Sequence, residues 1–303
     1  GLILLVVWVG SLKLMLDEGK NLDWFSSPEI VALAIVATIG FAAFIIWELH
    51  EEHPVVDLRV FRHRGFSVSV LTISLAFAAF FGANVLTPQW LQSFMGYTAT
   101  SAGMATAWTG VFAVLVAPIA AMLSSKVDPR KLVFGGVMWL GMVTLLRTTA
   151  TTDMGYWDVS QPIMLMGLGL PFFFIPLTGL ALASVDEHET ASGAGLMNFL
   201  RTLSGAFATS LITTQWDDQI TRNHAELVGL ADSDLAVQSM LEISGMAPDA
   251  VLQSIDRLIN GQAVMLATNQ IMTVVGLAFI LAALAIWLAP KPKRVVDASV
   301  GGH

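Results

Sequence analysis

Eight long apolar blocks dominate the chain, at 1–16, 30–48, 66–90, 101–123, 132–148, 162–185, 192–214 and 264–289. A hydrocarbon layer about 30 Å thick takes roughly 20 apolar residues of helix to cross. Inside that layer each backbone N–H and C=O needs a partner within its own segment, so blocks of this length are expected to be helices. The shorter alternating stretches of about 10 residues that mark barrel strands do not occur. The sequence therefore predicts an all-α polytopic membrane protein. Composition agrees, since 55% of the 303 residues are hydrophobic and 13% charged, against about 25% charged in an ordinary soluble domain. A net charge of −8 argues against the basic face that a nucleic-acid binder needs. With no cysteine, disulfide and thiolate chemistry are excluded. The first block already includes Gly1, as expected of a helix that starts earlier in a longer protein.

Lysine and arginine set the expected orientation. Arg59, Arg62 and Arg64 fall in the connection 49–65, Lys126, Arg130 and Lys131 in 124–131, and Lys291, Lys293 and Arg294 in 290–303. The opposite connections hold only Lys20, Arg222 and Arg257, while acidic residues favour that side. The positive-inside rule then places both ends of the chain in the cytoplasm, as an even number of spans requires. The expected organisation has two transmembrane helices in 1–48 and a cytoplasmic amphipathic link at 49–65. A six-helix bundle follows over 66–290, with a long outer loop at 217–262, and then a cytoplasmic tail at 291–303. Helix-compatible spacing inside that loop predicts partial helix at 234–243 and 248–259. Trp24, Trp90, Trp157, Trp216 and Trp287 are expected at the interfaces, and Trp8, Trp108 and Trp139 in packing positions. Ala113, Ala117 and Ala121 recur every four residues as a seam for close helix contact.

The polar residues inside the blocks are the candidates for chemistry. In 198–210 (NFLRTLSGAFATS) helical spacing puts Asn198, Arg201, Gly205 and Thr209 on one face. An arginine at that depth is costly unless it faces the bundle interior or a wet cavity. Such a stripe suits a substrate or ion pathway, and it equally suits an arginine that snorkels or caps a neighbouring helix. Asn84 and Gln89 flank Pro88 near the end of the third block and are pathway candidates, or an ordinary helix end. Pro171 and Pro176 each remove a backbone bond and are expected to bend the sixth helix. Asn269 is either pathway-facing or interhelical glue. HEEH at 50–53 lacks the HExxH spacing of a zinc helix, and no metal site is expected. No GxSxG, Walker A or GxGxxG spacing occurs, so neither an enzyme nor an ATP-driven pump is indicated. No block carries Asp, Glu or His at its centre, with Asp17 and Glu48 lying at ends. A proton-coupled protein needs a shielded titratable group, and such a group is expected outside these residues.

Four stretches carry a family resemblance: 14–30 (LMLDEGKNLDWFSSPEI), 47–66 (WELHEEHPVVDLRVFRHRGF), 96–103 (GYTATSAG) and 198–210. On these the chain resembles the C-terminal part of the EmrB/QacA family, the 14-helix drug:proton antiporters of the major facilitator superfamily. The resemblance implies that the two opening helices are the pair between bundles and the next six the C-terminal bundle. Six N-terminal helices, with the proton-linked acid and the antiporter motif, would precede them. It implies export of hydrophobic or amphipathic drugs across a bacterial inner membrane, coupling to protons, and no bound cofactor. It also implies a periplasmic membrane-fusion adaptor and an outer-membrane channel as partners. The loop 121–131 (AMLSSKVDPRK) stands at the superfamily's Gly–Asp–basic motif. Ala121 replaces the glycine and Ser125 the acid, while Lys126, Arg130 and Lys131 keep the charge. A non-transporting membrane subunit or split-gene partner, and an exporter of one specific metabolite, stay open as alternatives.

Overall fold

The computed structural model describes residues 1–51, 54, 56–151, 153–231 and 248–291. Eight α-helices account for most of them. They are α1 (Leu2–Glu18), α2 (Pro28–His50), α3 (Arg64–Ser93), α4 (Ala99–Ser124), α5 (Pro129–Leu146), α6 (Tyr156–Ala183), α7 (Thr190–Ala231) and α8 (Pro248–Ala285). Among the described residues, six of these helices are long and apolar enough to cross a membrane. The two that fall short differ in cause. The helix α1 has only 17 residues, whereas α7 runs for 42 and carries the polar stripe at 198–209.

Local chemistry sets the helix starts. Thr98 caps α4 by accepting the Ser101 N–H at 3.1 Å, and Asp128 caps α5 by accepting that of Arg130 at 3.0 Å. Pro28 and Pro129 occupy first-turn positions, where a missing N–H costs nothing. At α6, the Asp158 carboxylate reaches back to the Gly155 N–H at 2.9 Å. Between α3 and α4 the chain reverses at Gly96, whose φ of +71° is a left-handed conformation that glycine adopts without strain.

The bundle is built around α3. Over its most apolar window, 61% of α3 is buried against 6% of α4. Phe66, Ile73, Leu86 and Leu91 of α3 meet Leu140 of α5, Phe173 and Leu177 of α6, and Met272 and Phe279 of α8, all under 2% exposed. Lipid is as apolar as these side chains, so close packing rather than water exclusion holds the helices together. The tightest approaches use glycine. A Cβ on Gly167 of α6 would sit 2.4 Å from the Thr109 carbonyl oxygen of α4. The outward face of α4, with Met104, Val114, Leu115 and Ile119 half or more exposed, suits a lipid boundary. The small residues that α4 buries are Ala102, Ala105 and Ala120, while Ala121 of the expected seam is exposed.

Three further expectations are corrected. Residues 217–231 and 248–262 are helical, as continuations of α7 and α8, so the outer connection is no loop over those residues. The expected helix at 248–259 belongs to α8, and the one at 234–243 lies outside the described residues. Trp216 and Trp90 are buried rather than interfacial, Trp216 donating to Thr268 Oγ1 at 3.0 Å. Trp139, expected to pack inside, is 40% exposed, and its indole N–H reaches the Leu165 carbonyl at 2.7 Å. Trp8 is buried, its ring edge-on to Phe199 of α7. The link after α2 contains a short 3-10 turn, Leu58–Arg62, with Val60 fully buried and Arg59 exposed.

The basic end of the bundle is closed by ion pairs. Glu189, 5% exposed, accepts from Arg62 and His63, both at 2.9 Å, and Arg62 also meets Asp186 at 3.2 Å. These contacts fasten the link to the turn between α6 and α7. Ligand-type atoms of His63, Asp186 and Glu189 lie within 4.8 Å of one another. Arg62 is bound to both carboxylates, which makes the group an ion-pair knot.

Candidate functional site

A cavity of about 650 Å³ opens between α1, α3 and α7. Arg201, Gly205 and Thr209 of α7 line it, so three members of the predicted stripe share one wall. Asn198, one turn earlier, is partly buried and outside the lining. The Arg201 guanidinium lies over the Phe77 ring of α3, 4.7 Å from its centroid. That contact suits a cation held at low dielectric and contributes on the order of 1 kcal/mol. Phe77 in turn stacks on Phe81 at 5.4 Å and meets Phe174 of α6 edge-on at 4.9 Å. A Cβ on Gly205 would lie 3.4 Å from the Phe81 ring, so the glycine lets α7 approach this aromatic wall. No carboxylate pairs with Arg201 among the described residues.

The opposite wall is α1, which contributes Lys13 and Asp17. They form an ion pair at 2.9 Å, one turn apart. These two were missed as site residues, although their i, i+4 spacing next to an apolar run was visible in the sequence. Two contacts hold α1 in place here: Ser210 donates to the Leu16 carbonyl at 2.7 Å, and Lys20 pairs with Asp217. The cavity thus combines an aromatic floor, one arginine without an acid, and one internally neutralised pair. Its lining is mainly apolar and aromatic around a single guanidinium.

Similarity to known proteins extends over the whole chain. The family model for the Major Facilitator Superfamily matches residues 3–209. The chain belongs to the Major Facilitator Superfamily. The multidrug export protein EmrB of Escherichia coli (strain K12) is 36% identical over 308 residues, covering 100% of this chain and 60% of that protein. EmrB of Haemophilus influenzae is 37% identical over 300 residues, with 96% and 58% covered. The fatty acid resistance protein FarB of Neisseria gonorrhoeae is 34% identical over 307 residues, with 100% and 60% covered. The chain therefore spans about 60% of the length of these relatives.

The other predicted residues fall elsewhere in this superfamily bundle. Asn84 donates to the Phe80 carbonyl at 2.9 Å and lines a small crevice with Thr87, Thr109 and Arg147. Gln89 lines neither this crevice nor the Arg201 cavity. Asn269 donates to the Ala150 carbonyl at 3.1 Å, tying α8 to the end of α5, and its Oδ1 is buried without a partner. Helices α3 and α6 run unbroken through Pro88, Pro171 and Pro176. At the superfamily loop, Arg130 pairs with Asp128 at 3.0 Å, donates to the Ala289 carbonyl at 3.0 Å and lies over Trp287 at 5.9 Å. The Arg130 side chain holds the Asp128 carboxyl below its ordinary range by hydrogen bonding. Lys126 and Lys131 are exposed. Arg130 thus clasps the ends of α5 and α8, a contact that its place in a charged loop did not reveal.

Proposed function

We propose that these residues form the C-terminal portion of a proton-coupled exporter of hydrophobic or amphipathic compounds across a bacterial inner membrane, with both ends of this stretch in the cytoplasm. The single observation that carries the reading is the alignment of the entire chain with export proteins such as EmrB. The Arg201 cavity supports it. Arg201, Gly205 and Thr209 form one wall of a substrate pathway whose aromatic floor tolerates varied shapes, as broad specificity requires. Asn198 extends that pathway toward the basic end, and Pro88, Pro171 and Pro176 are sites where α3 and α6 flex. The group that takes up the proton is assigned to the part of the protein that this chain does not span, since no acidic residue stands at the centre of its apolar blocks. A periplasmic adaptor, and through it an outer-membrane channel, docks on the outer ends of α7 and α8.

The test is made in the full-length protein, expressed in a drug-hypersensitive host. Arg201→Ala lowers resistance at least fourfold at equal membrane abundance, and wild-type resistance in that variant removes the role. Deleting 225–255 abolishes adaptor co-purification, and intact co-purification with intact export removes the docking role.

A further inference from the structure

A second cavity, a groove of about 440 Å³, lies beside the Arg201 cavity, between α7, the α1–α2 hairpin and the link that follows α2. On α7 its wall is Leu196, Phe199, Leu200, Leu203 and Phe207, which recur at helical spacing along one apolar face. The rest of the lining is apolar or aromatic, and its one hydroxyl, on Thr38, is spent on the Ala34 carbonyl at 2.7 Å. Phe41, Phe61 and Phe207 are exposed at its rim, and α2 beside it turns Ile35, Ile39 and Ile46 outward, as a lipid-facing helix does. Phe199 and Leu203 line the groove and the Arg201 cavity alike. One seam therefore divides the two spaces, where α1 meets α7 and the Trp8 ring lies edge-on to Phe199 at 5.9 Å. The polar ties between these helices are at the far end of α1, from Ser210 to the Leu16 carbonyl and from Lys20 to Asp217. Among the described residues, no hydrogen bond crosses the seam at Trp8 or Leu12.

Resting on the export reading of the Arg201 cavity, we propose that the groove is a lateral portal through which compounds dissolved in the bilayer reach that cavity, with Phe199 and Leu203 as the partition they pass. A hydrophobic or amphipathic compound concentrates in lipid because its transfer out of water is favourable, so its richest supply lies beside the groove. A lining without a free hydroxyl or charge admits such a body with no polar group to desolvate. Continuity with the Arg201 cavity through two shared side chains favours the exported compound as the occupant over a lipid held for structure. Passage takes rotation of the Phe199 and Leu203 side chains and breaks no hydrogen bond or ion pair of the described residues.

The probe is N-phenyl-1-naphthylamine, a neutral amphipathic fluorophore, followed by stopped-flow on the full-length protein in phosphatidylcholine nanodiscs with empty nanodiscs subtracted. Thr38→Trp fills the groove from an exposed position that does not border the Arg201 cavity. A blocked portal slows association and release alike, so each rate falls at least fivefold while Kd stays within twofold of wild type. Ile39→Trp, on the outward face of the same helix, leaves both rates unchanged. Wild-type rates in Thr38→Trp overturn the portal and leave the groove to a lipid or another segment of the protein. A Kd weakened through faster release makes the groove a binding subsite and equally overturns it. If Thr38→Trp does not fold, Ile45→Trp on the same wall decides by the same criteria. The export reading fails separately: no saturable binding in the wild type, or binding that Gly205→Leu leaves intact, removes the Arg201 cavity as the site and the portal with it. Binding that Gly205→Leu weakens, with rates unmoved by Thr38→Trp, removes the portal alone.

Discussion

Arg201 and Arg147 are both arginines inside apolar spans without an ion-paired acid among the described residues, yet their surroundings differ. Arg201 lies along an open wall, leaning on Phe77 above a 650 Å³ cavity shared with α1. Arg147 sits at the end of α5 and is wedged among its neighbours, donating to Thr87 of α3 and facing Met166 of α6. One is fastened to a single ring, while the other joins three helices. The contrast shows that depth in the membrane does not set the role of such a cation. The number of elements it contacts determines how much of the fold depends on it.

That contrast is breakable by measurement. The largest effect is expected for Arg147→Ala, which leaves a void where three helices meet and costs about 2–4 kcal/mol. A markedly lower unfolding temperature of the purified full-length protein checks it, and an unchanged one means that Arg147 joins nothing. Next, Gly205→Leu drives a branched side chain into Phe81 and costs about 1–3 kcal/mol, with loss of resistance. Gly205→Ala, whose methyl just reaches contact at 3.4 Å, is expected to be near neutral in both readouts. Arg201→Ala forfeits only its ring contact, about 1 kcal/mol or less. Its stability is therefore nearly wild type while resistance falls, the reverse of the Arg147 pattern. Equal stability losses at the two arginines would erase the distinction.

The smallest effect concerns the clasp at the basic end. Asp128 has a folded pKa depressed below its ordinary 3.8, chiefly by the Arg130 hydrogen bond. A depressed carboxyl contributes stability that is present above the unfolded value and lost as pH falls through the folded one. As pH falls from about 5 through the folded value, Asp128→Asn flattens the decline in stability by a few tenths of a kcal/mol, given the screening of a partly exposed pair. A pH profile indistinguishable from wild type would show that the clasp is unfastened in solution.

Much of the architecture was readable before any coordinates. Apolar blocks of about 20 residues allow only helices in lipid, whereas the caps at Thr98, Asp128 and Asp158 came from the structure. Helical periodicity also placed Arg201, Gly205 and Thr209 on one face, because spacing along a helix is a local property. Arg147 was not readable as a tie between helices. At the end of a span it has the signature of an ordinary snorkelling arginine, and its inward turn depends on Thr87, 60 positions away. The Ala113, Ala117, Ala121 repeat likewise named a face without naming its neighbour. The α6 backbone, approaching through Gly167, determined which small residues of α4 are buried.

The sequence by itself determined that the apolar blocks are helices and which face of α7 is polar, since lipid leaves the backbone no alternative and periodicity is local. Only the tertiary structure decided what each face meets. It set α1 opposite Arg201, wedged Arg147 between three helices and latched Arg130 onto the end of α8. Between helices in lipid there is no water-driven collapse to read from composition. Those partnerships rest on shape and on hydrogen bonds between residues far apart in the chain, and these exist only once the helices have packed.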